Sequence, residues 1–146
     1  MTSRTATTQW RGDLQSGTGH VELTSSGTAS FDVTFPRRVG EPEGTTSPEE
    51  LIAAAHSACL AMNLTGVLGK NSLSADSVEV TSEVTVERVD GLTITGVQVT
   101  VRADVPDVDA GRFAELAELA ERTCPVSKAL AGTKITLDAS LAAGQQ

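Results

Sequence analysis

One stretch of this chain constrains its fold more than any other: "SPEELIAAAHSACLAM", from Ser47 to Met62. Ser47 is a good N-cap, Pro48 suits the first helical position, and Glu50 three residues after the cap completes a capping box. Glu49 and Glu50 set negative charge against the positive end of the helix dipole. Beyond them Leu51, Ile52, Ala54, Ala55, Cys59, Leu60 and Met62 are apolar on nearly every face, the pattern of a helix surrounded by protein. Termination is expected near "GVLGKN", where Gly66 and Gly69 offer it.

The rest of the chain supplies strands and two further helices. "TATTQWRG", "GHVELTS" and "TASFDVTF" have strand character and are separated by turn clusters. "PRRVGEPEGTTSPEE" is rich in breakers and reads as a loop. "SVEVTSEVTVERV" alternates Val78, Val80, Val84 and Val86 against Glu79, Glu83 and Glu87, whose row reads as a wet sheet face. Asp90-Gly91 is a favoured hairpin turn. In the returning strand Leu92 and Ile94 are even but Val97, Val99 and Val101 are odd, so a bulge or bend is expected at Gly96. Asp109 can cap a helix with Phe113, Leu116, Ala117 and Ala120 on one stripe. "TCPVSKALAG" reads as a short helix opened by Thr123 or Cys124 with Pro125 at its first position. A last strand, "KITLDAS", precedes the polar tail "AAGQQ". No internal repeat or linker divides the chain, so residues 1–146 are expected to form one α+β domain. The element order favours an antiparallel sheet with helices on one face.

Composition excludes several classes of partner. The net charge of −8 leaves no basic surplus for nucleic acid or an anionic membrane. No apolar run reads as long enough to span a bilayer, and "MTSRTATTQW" lacks a signal design, so the expected compartment is the cytoplasm. In a reducing compartment two cysteines are not expected to form a permanent structural bridge. They stand 65 positions apart, so neither CxxC nor a zinc-ligand spacing applies. A tetrahedral zinc site would require both cysteines and both histidines at once, a poor reading, and no metal is expected.

Local physics favours Cys124 as the reactive thiol. A sulfur at a helix N-terminus faces unpaired N–H groups and partial positive charge, which favour the thiolate. Cys59 lies twelve positions past the Ser47 cap, about 18 Å along the helix and beyond useful reach of the dipole. Unaided, it reads as a neutral thiol filling core space. His56, at i−3 from Cys59, shares its side of the helix; packing or an orienting hydrogen bond outweighs a Cys–His dyad. Trp10 fills core space or lines the rim of a pocket.

"FPRRVGEPEGTTSPEELIAAAHSACLAM", followed by "CPVSKAL" and the closing "KITLDAS", closely resembles the OsmC family of peroxidases induced by osmotic or oxidative stress. The likeness runs from "QWRGDLQSGTGHV" to the last strand. The residues around both cysteines are more similar to the OsmC branch than to the organic hydroperoxide resistance branch. The resemblance implies antiparallel sheets packed around a long central helix in an intertwined homodimer. It implies that Cys59 is the peroxidatic cysteine and Cys124 the resolving one, the pair cycling through a disulfide. It further implies an activating arginine held by a glutamate. Glu49 matches the glutamate; Arg37 and Arg38 both stand where the arginine falls, with Arg38 favoured and Arg37 read as solvated or paired with loop acids.

Physics supports that assignment. A buried thiol ionises near neutral pH only with a cation within about 4–6 Å, and a guanidinium stays charged when desolvated. Glu49 and Cys59 are roughly 15 Å apart along one helix and point about 80° apart, so they cannot meet within it. A second subunit is therefore expected to supply the Arg38–Glu49 pair. The all-round apolar helix would then line a pocket beside Cys59 that favours organic hydroperoxides over hydrogen peroxide. No bound cofactor is expected, and the reductant is an external dithiol or a lipoylated protein. The rival reading is a redox sensor or apolar-ligand carrier of the same fold without efficient turnover.

Overall fold

The structure, a computed structural model, describes residues 1–142, so the tail beyond Ala142 lies outside the described residues. Contacts divide the chain into two compact units, Met1–Leu51 and Ile52 onward. In the first, strands β1 (Thr7–Arg11), β2 (Thr18–Glu22) and β3 (Ser30–Val33) form an antiparallel sheet in that order. Trp10 lies across Gly19: a Cβ at Gly19 would come within 2.8 Å of the indole, so only glycine allows the approach. The indole N–H donates to Gly12 O at 2.9 Å, and Trp10 remains 41% exposed. It is thus a surface residue of this chain, which corrects the expectation that it fills core space.

Strand β3 ends sooner than its sequence suggests because Thr34 caps a short helix, α1 (Phe35–Val39). The Thr34 hydroxyl accepts from Arg37 N at 3.4 Å, and Pro36 stands in the first helical turn. This helix corrects the reading of "PRRV" as loop. Thr-Phe-Pro carries a helix-start signature that the surrounding glycines and prolines obscure.

Helix α2 (Pro48–Lys70) starts as expected, with Glu50 N donating to the Ser47 hydroxyl at 3.1 Å. The Glu50 carboxylate turns to the Thr46 hydroxyl instead of completing the capping box. Neither Gly66 nor Gly69 ends the helix. Ser72 does, with φ of 60°, while Ser72 N donates to Gly69 O and Leu73 N to Leu68 O, both bonds of a Schellman motif. The helix is long and apolar enough, by length and composition alone, to cross a bilayer, which corrects the expectation that no run reaches that length. Its burial is one-sided. His56, Leu60, Leu64 and Leu68 form a buried row at four-residue spacing, whereas Ala54, Ala55 and Ala58 are exposed and Met62 is 71% exposed. An all-round apolar helix was expected to be surrounded by protein; within one chain it is not.

The second unit is built on the hairpin of β4 (Ser77–Arg88) and β5 (Leu92–Asp104). Asp90 and Gly91 both take positive φ, and the ladder closes at Arg88–Leu92, so Val89 joins the turn as a third residue. Thr85 pairs with Gly96 but Val86 with Ile94, which leaves Thr95 as the bulged residue at the expected place. Past the bulge Val97, Val99, Val101 and Ala103 are all buried. Asp109 caps α3 (Ala110–Thr123) by accepting from Arg112 N at 2.8 Å, and the four stripe residues face the core. Helix α4 (Pro125–Ala129) follows directly.

The last strand, β6 (Lys134–Leu141), pairs with β5 in parallel. This corrects the expectation of wholly antiparallel sheets. Two helices separate β5 from β6, and such a crossover returns the chain in the same direction, whereas an antiparallel neighbour needs only a tight turn. The result is an α+β chain with two three-stranded sheets, the second of mixed direction.

A polar pair, His56 and Ser127, is buried in this second unit. His56 is fully buried, and its Nε2 is hydrogen-bonded to Ser127 Oγ at 2.8 Å and its Nδ1 to Ser82 Oγ at 3.4 Å. Burial pushes the imidazole below its ordinary value, against a smaller opposing pull from Glu121.

Two outcomes are expected from this core. Phe113→Ala should cost about 3–5 kcal/mol in chemical denaturation, because Phe113 is wholly enclosed. The unfolded chain takes up a proton at His56 before the folded one does. Stability from the neutral ring is therefore complete above the ordinary value of 6.5 and declines as pH falls through the lower folded value. Thermal melts should show this acid-side loss in the wild type and a smaller one in His56→Gln.

Candidate active site

The candidate site residues fall into two groups, one in each unit. In the first unit the short α1 carries Arg37 and Arg38, and the first turn of α2 carries Glu49. Arg38 Nε donates to both Glu49 oxygens at 3.1 and 3.2 Å, and its Nη2 donates to Oε1 at 2.7 Å. The Glu49 side chain is only 10% exposed and that of Arg38 is 35% exposed, so this is a forked pair with one end buried. These bonds, with the charge of the carboxylate, hold the guanidinium further above its ordinary value, opposed by burial. It stays a cation under any working condition. Arg37 turns away to Glu43 Oε2 at 2.6 Å and Glu41 O at 3.3 Å. Of the two candidate arginines, Arg38 is the one held by Glu49.

In the second unit the two sulfurs meet. Cys59 on α2 and Cys124, between α3 and α4, are both free thiols with their Sγ atoms 3.2 Å apart. Cys124 is fully buried, with Phe113 and Ala120 in the same core cluster, while Cys59 is half-buried. The sulfur with access to solvent is therefore Cys59, the opposite of the order that helix-terminus electrostatics alone suggests. Burial pushes the Cys59 thiol up. The Val126 backbone N–H pulls the other way, and the neighbouring Cys124 thiol adds to the rise.

Around this pair stand residues that the sequence did not single out. Asn63, one turn beyond Cys59, donates from Nδ2 to Ala120 O at 2.7 Å and to Thr123 Oγ1 at 2.9 Å. Ser127, three residues past Cys124, holds His56, three residues before Cys59. That mirrored spacing was visible in the sequence, but only the fold makes the two ends partners. His56 spends both nitrogens on serines, which fits the orienting hydrogen bond expected of it rather than a dyad with Cys59. Glu79, Glu83 and Glu87 are exposed along β4, and among the described residues no three His, Cys, Asp or Glu side chains converge as a metal site.

This arrangement can perform two-thiol redox chemistry. A thiol with solvent access can be oxidised, and a second sulfur stands close enough to condense with it. Comparison with known proteins points to peroxidase activity. Residues 40–138 match the model of the OsmC-like protein family. The chain is 38% identical over 133 residues to Peroxiredoxin OsmC of Escherichia coli, covering 90% of this chain and 92% of that protein. Its fold is similar to an organic hydroperoxide resistance protein OsmC from Legionella pneumophila, with a TM-score of 0.75, 29% identity, and 93% and 96% of the two chains covered. It is also similar to the organic hydroperoxide resistance protein OhrB of Bacillus subtilis, with a TM-score of 0.71, 28% identity, and 94% and 98% covered. With two-thirds of its length matched by the family model and a curated relative at this identity along nearly all of it, the chain belongs to the OsmC-like protein family.

Proposed function

We propose that this protein is a cysteine-based peroxidase that reduces organic hydroperoxides, and hydrogen peroxide less well, in defence against oxidative or osmotic stress. The observation that carries the reading is the 3.2 Å approach of a half-buried to a fully buried free thiol. The Cys59 thiolate attacks one peroxide oxygen, the O–O bond breaks, and the departing alkoxide takes up a proton to leave as an alcohol. Cys59 is then a sulfenic acid. The Cys124 thiolate attacks its sulfur, hydroxide leaves and is protonated to water, and a Cys59–Cys124 disulfide results. Two thiol–disulfide exchanges with an external dithiol, a small molecule or a lipoylated protein, restore both thiols. The cycle draws on no bound cofactor or metal.

Activation of Cys59 needs a cation, because burial alone raises its thiol. In this reading Arg38, oriented by Glu49, supplies it from the partner subunit of a homodimer and also stabilises the departing oxyanion. The open apolar face of α2, with Ala54, Ala58 and Met62 exposed, supports such a dimer and an alkyl-binding pocket beside Cys59. Residues 1–146 act as one OsmC-like domain in the cytoplasm.

Steady-state reduction of an alkyl hydroperoxide with excess dithiol tests the cycle. Cys59→Ser should abolish turnover; Cys124→Ser should consume one equivalent and then stop, leaving Cys59 open to over-oxidation. Wild-type consumption that also stalls after one equivalent would overturn the enzyme reading in favour of a sensor. Arg38→Ala should slow the first step by about 10²-fold or more and move its pH–rate inflection upward. An unmoved inflection would remove Arg38 from the activation of Cys59. Equal kcat/KM for alkyl hydroperoxide and hydrogen peroxide would sink the organic preference.

A further inference from the structure

We propose that two polar clamps, His56–Ser127 and Asn63–Thr123, set the approach of Cys124 to Cys59, so that His56 and Asn63 are positioning residues for disulfide closure. This rests on the two-cysteine cycle proposed above. On α2, His56 and Asn63 stand at i−3 and i+4 from Cys59, so all three lie on one side of the helix. On the facing segment Thr123 and Ser127 stand at i−1 and i+3 from Cys124. The two bonds, 2.8 Å for His56–Ser127 and 2.9 Å for Asn63–Thr123, therefore bracket the sulfur pair.

The facing segment needs such a hold. Helix α4 has only five residues, and Cys124 at its cap makes no side-chain capping bond. A helix that short is not stable by itself and is placed by tertiary contacts. Asn63 takes the end of α3 through Thr123 and Ala120 O, and His56 takes α4 through a buried hydroxyl. Closure must then shorten the 3.2 Å sulfur separation to a bond of about 2.05 Å. The Cys124 sulfur forms that bond as the S–O bond of the Cys59 sulfenic acid breaks and the oxygen departs as water. A segment pinned on both sides of Cys124 makes this approach from a fixed direction. A misplacement of about 1 Å can cost about 10²-fold in rate.

Rapid-quench kinetics after one equivalent of peroxide separate the two steps, with a sulfenic-acid trap reading the first and non-reducing mass spectrometry the second. In His56→Leu and Asn63→Leu the closing step should slow by about ten-fold or more, while the first step changes by less than about two-fold. His56→Gln, whose amide offers both a donor and an acceptor towards Ser127, should close within a few-fold of wild type. The double variant His56→Leu/Ser127→Ala removes both partners and so relieves the cost of an orphaned buried group. Its melting temperature should recover relative to His56→Leu, but its closure should remain slow. Closure at the wild-type rate in the single variants would overturn the proposal. So would closure that recovers together with the melting temperature in the double variant. If the wild type itself forms no Cys59–Cys124 disulfide, the two-cysteine cycle fails and the clamps lose their role with it.

Discussion

Burying one imidazole organises the second unit. A neutral histidine ring offers one donor and one acceptor, and inside an apolar core each must be matched or cost about 1–3 kcal/mol. Ser127 and Ser82 match them, one from the short helix after Cys124 and the other from strand β4. A single residue of α2 thus joins three elements that hydrophobic contact alone would let slide. The apolar row of Leu60, Leu64 and Leu68 adds cohesion as part of the buried cluster, but hydrophobic attraction is non-directional and sets no register. The hydrogen bonds set the register, and the cysteine pair inherits it.

The electrostatics are divided in the opposite sense. Around Cys59 burial disfavours a thiolate, while Arg38 and Glu49 are a hydrogen-bonded ion pair in the first unit. Holding a guanidinium with a largely buried carboxylate fixes its direction, and the pairing leaves Nη1 free of that carboxylate.

Much of this was legible in the sequence. Period-two alternation gave the hairpin, and the switch of parity at Gly96 gave the bulge. The Phe113 stripe with the Asp109 cap gave α3. What escaped has physical reasons. Strand direction is a property of the connection, and β6 reads the same parallel or antiparallel. Helix α1 is one turn long, so no periodicity can reveal it and only Thr34 and Pro36 mark it. Helix α2 ends at Lys70, inside the expected "GVLGKN", but the left-handed residue that stops it is Ser72, without the conformational freedom that glycine advertises. The pairing of Arg38 with Glu49 was readable only through resemblance, and the roles proposed for the two cysteines rest on it. Local electrostatics favours the sulfur at the helix terminus, but burial decides which one a solute can reach. Ser127 and Asn63 were invisible because their partners are 71 and 60 positions away in the chain.

Those separations bear on how the protein is made. The β4–β5 hairpin closes through neighbours in sequence and can form within microseconds, as can the turns of α3. The two thiols meet only when the segment between α3 and α4, 65 positions away in the chain, packs back on α2. Contacts of long sequence separation come late because their loop entropy must be met first. During synthesis Cys59 therefore emerges well before Cys124, and the pair exists only in the finished fold.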